Sequence, residues 1–62
     1  MKVRDVLKRL AADGWVLESQ KGSHRHLVHP TKPGKVTVPG HPADDMPRGT
    51  LNSIRQQAGW KE

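Results

Sequence analysis

Lys21-Gly22-Ser23-His24-Arg25-His26-Leu27-Val28-His29-Pro30 reads as a turn followed by a strand, and it sets the architecture of the 62-residue chain. Gly22 permits the positive φ that a tight turn asks for. Alternation from His24 to His29 puts His24, His26 and Val28 on one face, and Arg25, Leu27 and His29 on the other. Pro30 ends the strand. The same stretch gathers three of the four histidines among cationic residues. Histidine is the side chain most easily tuned to exchange protons near neutral pH. Beside fixed positive charge it suits chemistry on a phosphodiester. The plainer reading is a polar strand with one exposed face, since no single histidine identifies a catalytic site.

Toward the N-terminus, Trp15 to Gln20 reads as a first strand, in which Trp15 and Leu17 alternate with Val16 and Glu18. Trp15 is expected to anchor the core beneath a preceding helix. That helix runs from about Lys2 to Asp13. Val3, Val6, Leu7 and Leu10 fall at the i, i+3, i+4, i+7 spacing of one apolar stripe. Lys2, Arg4, Asp5, Lys8 and Arg9 take the other side, and Asp13-Gly14 supplies the stop.

Toward the C-terminus, Thr31-Lys32-Pro33-Gly34 is a second turn. Lys35 to Val38 is a short third strand with Val36 and Val38 on one face, closed by Pro39 and Gly40. A loop from Gly40 to Pro47 leads into a second helix. Pro47 suits its first turn, Asp44 or Asp45 favours its N-terminus, and Thr50 is an alternative N-cap. Leu51, Ile54 and Ala58 form its inward stripe. Gly59 stops it, and Trp60 is expected to fold back onto the core.

The expected fold is therefore α+β: a two-layer sandwich in the order α-β-β-β-α. Three antiparallel strands carry two helices on one face and leave polar side chains on the other. This is the element order of the double-stranded-RNA-binding domain, which makes RNA a partner by fold analogy. Residues 1–62 are expected to form a single domain.

Composition narrows the partners. The net charge of +5 favours polyanions, nucleic acid first. The absence of cysteine excludes disulfide staples and Cys-based metal sites. The four histidines lack both Cys partners and the i, i+4 helical pair of a zinc motif, so no metal or cofactor is expected. His29 and His41 each precede proline; strand-end and loop geometry, with a side chain capping nearby backbone, accounts for them. No apolar run is long enough to span a bilayer, and the N-terminus alternates too early for a signal segment. A cytoplasmic protein is expected. A core without Phe or Tyr is thin, so a partner would add stability.

Several motifs run through the chain in order: Gly14-Trp15, Lys21-Gly22-Ser23-His24, His29-Pro30, Val36-Thr37-Val38-Pro39, His41-Pro42, Pro47-Arg48-Gly49-Thr50-Leu51, Ser53-Ile54 and Gln57-Ala58-Gly59. Together they resemble the HicA toxins of type II toxin–antitoxin systems. The resemblance implies a dsRBD-like fold and an mRNA interferase, an endoribonuclease neutralised by direct binding of a HicB-type antitoxin. It matches the family's catalytic histidine to His24, with Gly22 as the supporting glycine. Many members carry a second histidine immediately after the first; this chain has Arg25 there, which leaves His24 as the single imidazole the motif implies. The resemblance assigns DNA binding to the antitoxin, so none is expected here, and the free chain is expected to be monomeric.

The chemistry is consistent with those residues. RNA carries its own nucleophile, the 2′-OH. An enzyme must supply a base, an acid for the leaving 5′-oxygen, and positive charge for the developing phosphorane. His24 is the candidate base or acid, and no metal is required. Lys21, Gly22, Ser23, Arg25 and His26 are the candidate supporting and RNA-contacting set. Lys21, Arg25 and backbone N–H groups near Gly22 would steady phosphate charge. His26 shares a face with His24 as a substrate contact, a second proton carrier or a plain surface histidine. The expected products are a 2′,3′-cyclic phosphate (or 3′-phosphate) and a 5′-hydroxyl. Two rival readings are a non-catalytic double-stranded-RNA-binding module and a protein-interaction module with a basic face. His24→Ala separates the first of these from a nuclease, because a pure binder loses little by it.

Overall fold

Val3, Val6 and Leu10 lie on one side of helix α1 (Val3–Ala12) and are essentially removed from water. The computed structural model describes residues 1–60, with α1 followed by strands β1 (Val16–Lys21), β2 (His24–Val28) and β3 (Val36–Val38) and helix α2 (Arg48–Ala58). The order is the α-β-β-β-α expected of a small α+β fold. The strands form one antiparallel sheet in the order β1-β2-β3. Among the described residues no helix is long and apolar enough to cross a membrane.

Side chains directly opposite each other in an antiparallel pair share a face. Leu27 pairs with Val36 and Arg25 with Val38, so these four point the same way. Leu27, Val36 and Val38 are buried in one cluster with Val3, Val6 and Leu10 of α1 and Ile54 and Ala58 of α2. Trp15 and Met46 complete it. Both helices thus cover the Leu27 face of the sheet. Each such aliphatic side chain taken out of water contributes about 1.5–3 kcal/mol, and in so small a chain few can be spared.

Both helices stop by the same device. Trp15 N–H donates to the Leu10 carbonyl at 3.0 Å around Gly14, and Trp60 N–H donates to the Arg55 carbonyl at 3.0 Å around Gly59. These six-to-one bonds satisfy carbonyls that a helix end otherwise leaves unpaired. Trp60 does fold back: it packs partly buried against the core, with the Arg9 guanidinium 4.3 Å from its ring centroid.

Local details depart from expectation. Trp15 is buried as foreseen, but it precedes β1 instead of opening it. Leu17 stays 49% exposed although it pairs with Leu27. No residue of β1 is buried, because β1 is an edge strand and the core is centred on β2, β3 and the helices. A bulge between Leu17 and Ser19 further breaks its alternation.

Asp44 and Asp45 serve α1 instead of α2. The Asp44 and Pro42 carbonyls accept the Val3 and Arg4 N–H groups at 2.9 and 3.1 Å. Asp45 pairs with Lys2 at 3.1 Å. The 41–46 loop therefore caps the helix from which it is most distant in sequence. Pro47 sits just outside α2 as its N-cap, with its carbonyl accepting Leu51 N–H at 2.9 Å.

Candidate catalytic face of the sheet

The β1–β2 hairpin closes on the pair Lys21 and His24, leaving Gly22 and Ser23 as a two-residue turn. Gly22 has φ +61° and Ser23 has no positive φ. Glycine alone at the first central position is the pattern of a type II′ turn, whose twist suits a hairpin. An added Cβ at Gly22 would meet nothing within 4 Å, so the constraint there is conformational, with space to spare. Gln20 Nε2 donates to the Gly22 carbonyl at 3.0 Å and steadies the turn.

Pairing register then fixes what the sheet shows on the side away from the helices. Lys21 lies beside His24, Ser19 and Thr37 flank His26, and Val16 lies beside Val28. His24 is exposed, and among the described residues its ring has no hydrogen-bond partner. His26 is half-buried, with Nδ1 3.1 Å from Thr37 Oγ1. Glu18 of β1 and Lys35, the residue just before β3, reach each other at 2.8 Å. This polar face presents two imidazoles two residues apart, at a rise of roughly 6.6 Å along the strand, beside the ammonium of Lys21.

Arg25 lies on the opposite side of β2. Its Nη1 donates to the Gly40 carbonyl at 2.9 Å and lies 3.5 Å from the Ser23 carbonyl. A residue at position 25 therefore stands back to back with His24, across the thickness of the sheet. The candidate set thus divides. Lys21, the Gly22-Ser23 turn, His24 and His26 share the open side and its hairpin end, while Arg25 braces that end from behind.

The remaining histidines are placed elsewhere. His29 is a structural hub on the helix side. Its Nδ1 accepts the Thr31 and Lys32 backbone N–H groups, each at 3.1 Å. A nitrogen that accepts two N–H groups carries no proton, so Nε2 is the protonated atom and donates to the Asp13 carbonyl at 2.7 Å. The ring also meets Trp15 edge-on, with centroids 5.2 Å apart. His41 is exposed, and its backbone N–H donates to Asp44 Oδ2 at 3.1 Å within a loop turn. Among the described residues no three His, Asp or Glu side chains come close enough to share a metal ion. A groove of about 440 Å³ lined by Val3, Pro39, Gly40, Asp44, Asp45, Pro47 and Thr50 contains none of the histidines.

Thr37 and Gln57 were not foreseen at this face. Alternation with Val36 and Val38 does put Thr37 outward, but only the strand register sets it against His26. Gln57 reaches from α2 so that its Oε1 accepts the Thr37 N–H at 3.2 Å, occupying a donor on the outer edge of β3.

The family model described as HicA toxin of bacterial toxin-antitoxin matches residues 3–60. No curated protein matches the chain.

Proposed function

The chain belongs to the HicA toxins, the toxin half of bacterial toxin–antitoxin pairs, and on that premise we propose that it is a metal-independent endoribonuclease that cleaves mRNA. The observation that carries the reading is His24. It stands exposed at a hairpin end with its ring unengaged among the described residues and Lys21 directly opposite. A histidine with no internal partner contributes little to the fold and is free to meet a substrate.

In this reading His24 takes the proton of the 2′-OH as that oxygen attacks the adjacent phosphorus. Lys21 and the backbone N–H groups of the Gly22-Ser23 turn offset the charge that grows on the phosphoryl oxygens. Arg25 supports the site by holding the hairpin end against Gly40. His26 is a supporting group beside the reacting phosphate. The cut leaves a 2′,3′-cyclic phosphate and a 5′-hydroxyl. Acting on mRNA, the toxin works in the cytoplasm. Its antitoxin, of the HicB type, presents an acidic surface that covers His24 and excludes RNA.

The test is induced expression of wild type against His24→Ala, with folding and abundance matched and the ends of cleaved transcripts mapped. Wild type alone should arrest growth and deplete mRNA, leaving 5′-hydroxyl ends. Equal arrest by both proteins would favour an RNA-binding module that harms without cutting. Ends carrying a 5′-phosphate would sink the proposed chemistry.

A further inference from the structure

His26 and Thr37 meet across β2 and β3 on the side of the sheet that carries His24, with Nδ1 3.1 Å from Oγ1. We propose that His26 is the group that protonates the leaving 5′-oxygen, and that Thr37 is the positioning residue that holds its ring for that task. The inference rests on the nuclease reading and adds to it the identity of the acid.

The geometry supplies the reasons. His24 and His26 project from the same side of β2, separated by two strand steps of roughly 6.6 Å in all. An in-line displacement has its attacking and leaving oxygens on opposite sides of the phosphorus, and each needs a proton-transfer partner within about 2.6–3.2 Å. Two imidazoles side by side along one strand suit a phosphate lying between them. No other histidine shares this face among the described residues. Residue 25 points to the other side of the sheet, and His29 is occupied on the helix side.

His26 is also the better oriented of the two rings. Its Nδ1 lies 3.1 Å from Thr37 Oγ1. A hydroxyl oxygen accepts from Nδ1–H both when the imidazole is charged and when it is neutral in that tautomer. Loss of a proton from Nε2 therefore leaves the Thr37 hydrogen bond in place. Nε2 becomes the exchanging nitrogen, and no ring rotation is needed during the step. Thr37 is itself anchored by pairing with His26 across β2–β3, and its outward N–H is taken by Gln57 Oε1 at 3.2 Å. The chain of contacts runs from α2 to the reacting side of the sheet.

The step balances. An unprotonated ring nitrogen of His24 removes the 2′-OH proton as the 2′-O–P bond forms. The P–O5′ bond breaks, and the 5′-oxygen takes the Nε2 proton of the His26 imidazolium. His24 finishes protonated and His26 neutral, and exchange with water restores both.

The plain alternative is a His–Thr cross-strand pair that only steadies the sheet. The two are separated by a leaving group that needs no proton. An oligoribonucleotide spanning a site cut by wild type is prepared with an ordinary phosphodiester at the cut, and again with sulfur replacing the bridging 5′-oxygen. His26→Ala should slow cleavage of the ordinary RNA by about 10²-fold or more, yet cleave the sulfur-bridged RNA at close to the wild-type rate. His26→Gln, which retains a group able to bond Thr37, should behave alike and guards against misfolding. Thr37→Val should show a smaller loss that sulfur also relieves, and Thr37→Ser should restore activity. His24→Ala should fail on both substrates. If His26→Ala cuts ordinary RNA as wild type does, or is equally slow on both substrates, His26 is not the acid and only this inference falls. If wild type cleaves no RNA, so that no such site is found, the nuclease reading falls and takes this one with it.

Discussion

Lys32 Nζ lies 2.6 Å from Asp13 Oδ2 and joins the C-terminal ends of the two helices. The same ammonium donates to the Ala58 carbonyl at 3.2 Å, at the end of α2. A cation is favoured where unpaired carbonyls gather at a helix C-terminus, and here one cation serves two such ends. Lys32 therefore belongs to the scaffold.

This contact gives the stability an acid limb. The Lys32 hydrogen bond holds the Asp13 carboxyl below its ordinary value of 3.8; partial loss of water opposes the shift, and the Trp15 indole N–H assists it. A carboxylate with a depressed folded-state pKa stabilises above its unfolded pKa, and that contribution is lost as pH falls through the folded value. Urea midpoints of wild type and Asp13→Asn should differ at pH 6 and converge below about pH 4. A gap that stays constant across that window would show that the ion pair is not its source.

Gly14 is a position where side-chain size decides. Its φ is +102°, and an added Cβ would sit 2.8 Å from His29 Nε2. Gly14→Ala should cost about 1–3 kcal/mol from the backbone alone, with further loss as the His29 ring is pushed from Asp13. Gly22→Ala, with open space around it, should cost only about 1–2 kcal/mol. Denaturant titration of the two variants should rank them in that order.

Arg25 offers a test of which side of the strand matters. Arg25→Ala removes the bond to the Gly40 carbonyl, a charge-assisted contact worth about 1.5–3 kcal/mol. Its main effect should be on the unfolding midpoint, with the salt dependence of RNA binding unchanged. A salt slope that drops by about one would instead mean a direct phosphate contact.

Lys21 should show the converse. Lys21→Gln removes an exposed cation beside His24, so RNA affinity should fall and the salt slope should lessen by about 0.7 to 0.9. The unfolding midpoint should scarcely move. A Lys21→Gln protein with unaltered salt dependence would remove Lys21 from the substrate path.

Element order was legible because it rests on local signals: the apolar stripe of α1, the Gly-containing stops at Gly14 and Gly59, and turn residues at Gly22-Ser23 and Pro33-Gly34. Alternation in β2 was legible for the same reason, and it already separated His24 and His26 from Arg25. What was not legible depends on tertiary partners. Leu17 has the pattern of an inward residue, and only the edge position of β1 leaves it half exposed. Asp44 and Asp45 stand next to α2 in sequence but meet α1 in space. The contact of His26 with Thr37 and the grip of Gln57 on β3 require the strand register, which no single segment contains.

Strand β2 is shared between two tasks that never compete for the same residue: Arg25 and Leu27 face the helices, while His24 and His26 face outward. Substitutions on one side can therefore be tuned with little penalty on the other. Register is the exception. A one-residue slip of β2 against its neighbours exchanges the sides, turning His26 inward and Leu27 into water. Such a change cannot be undone by any point replacement at His24, so the spacing of this hairpin decides which side chains the open face displays.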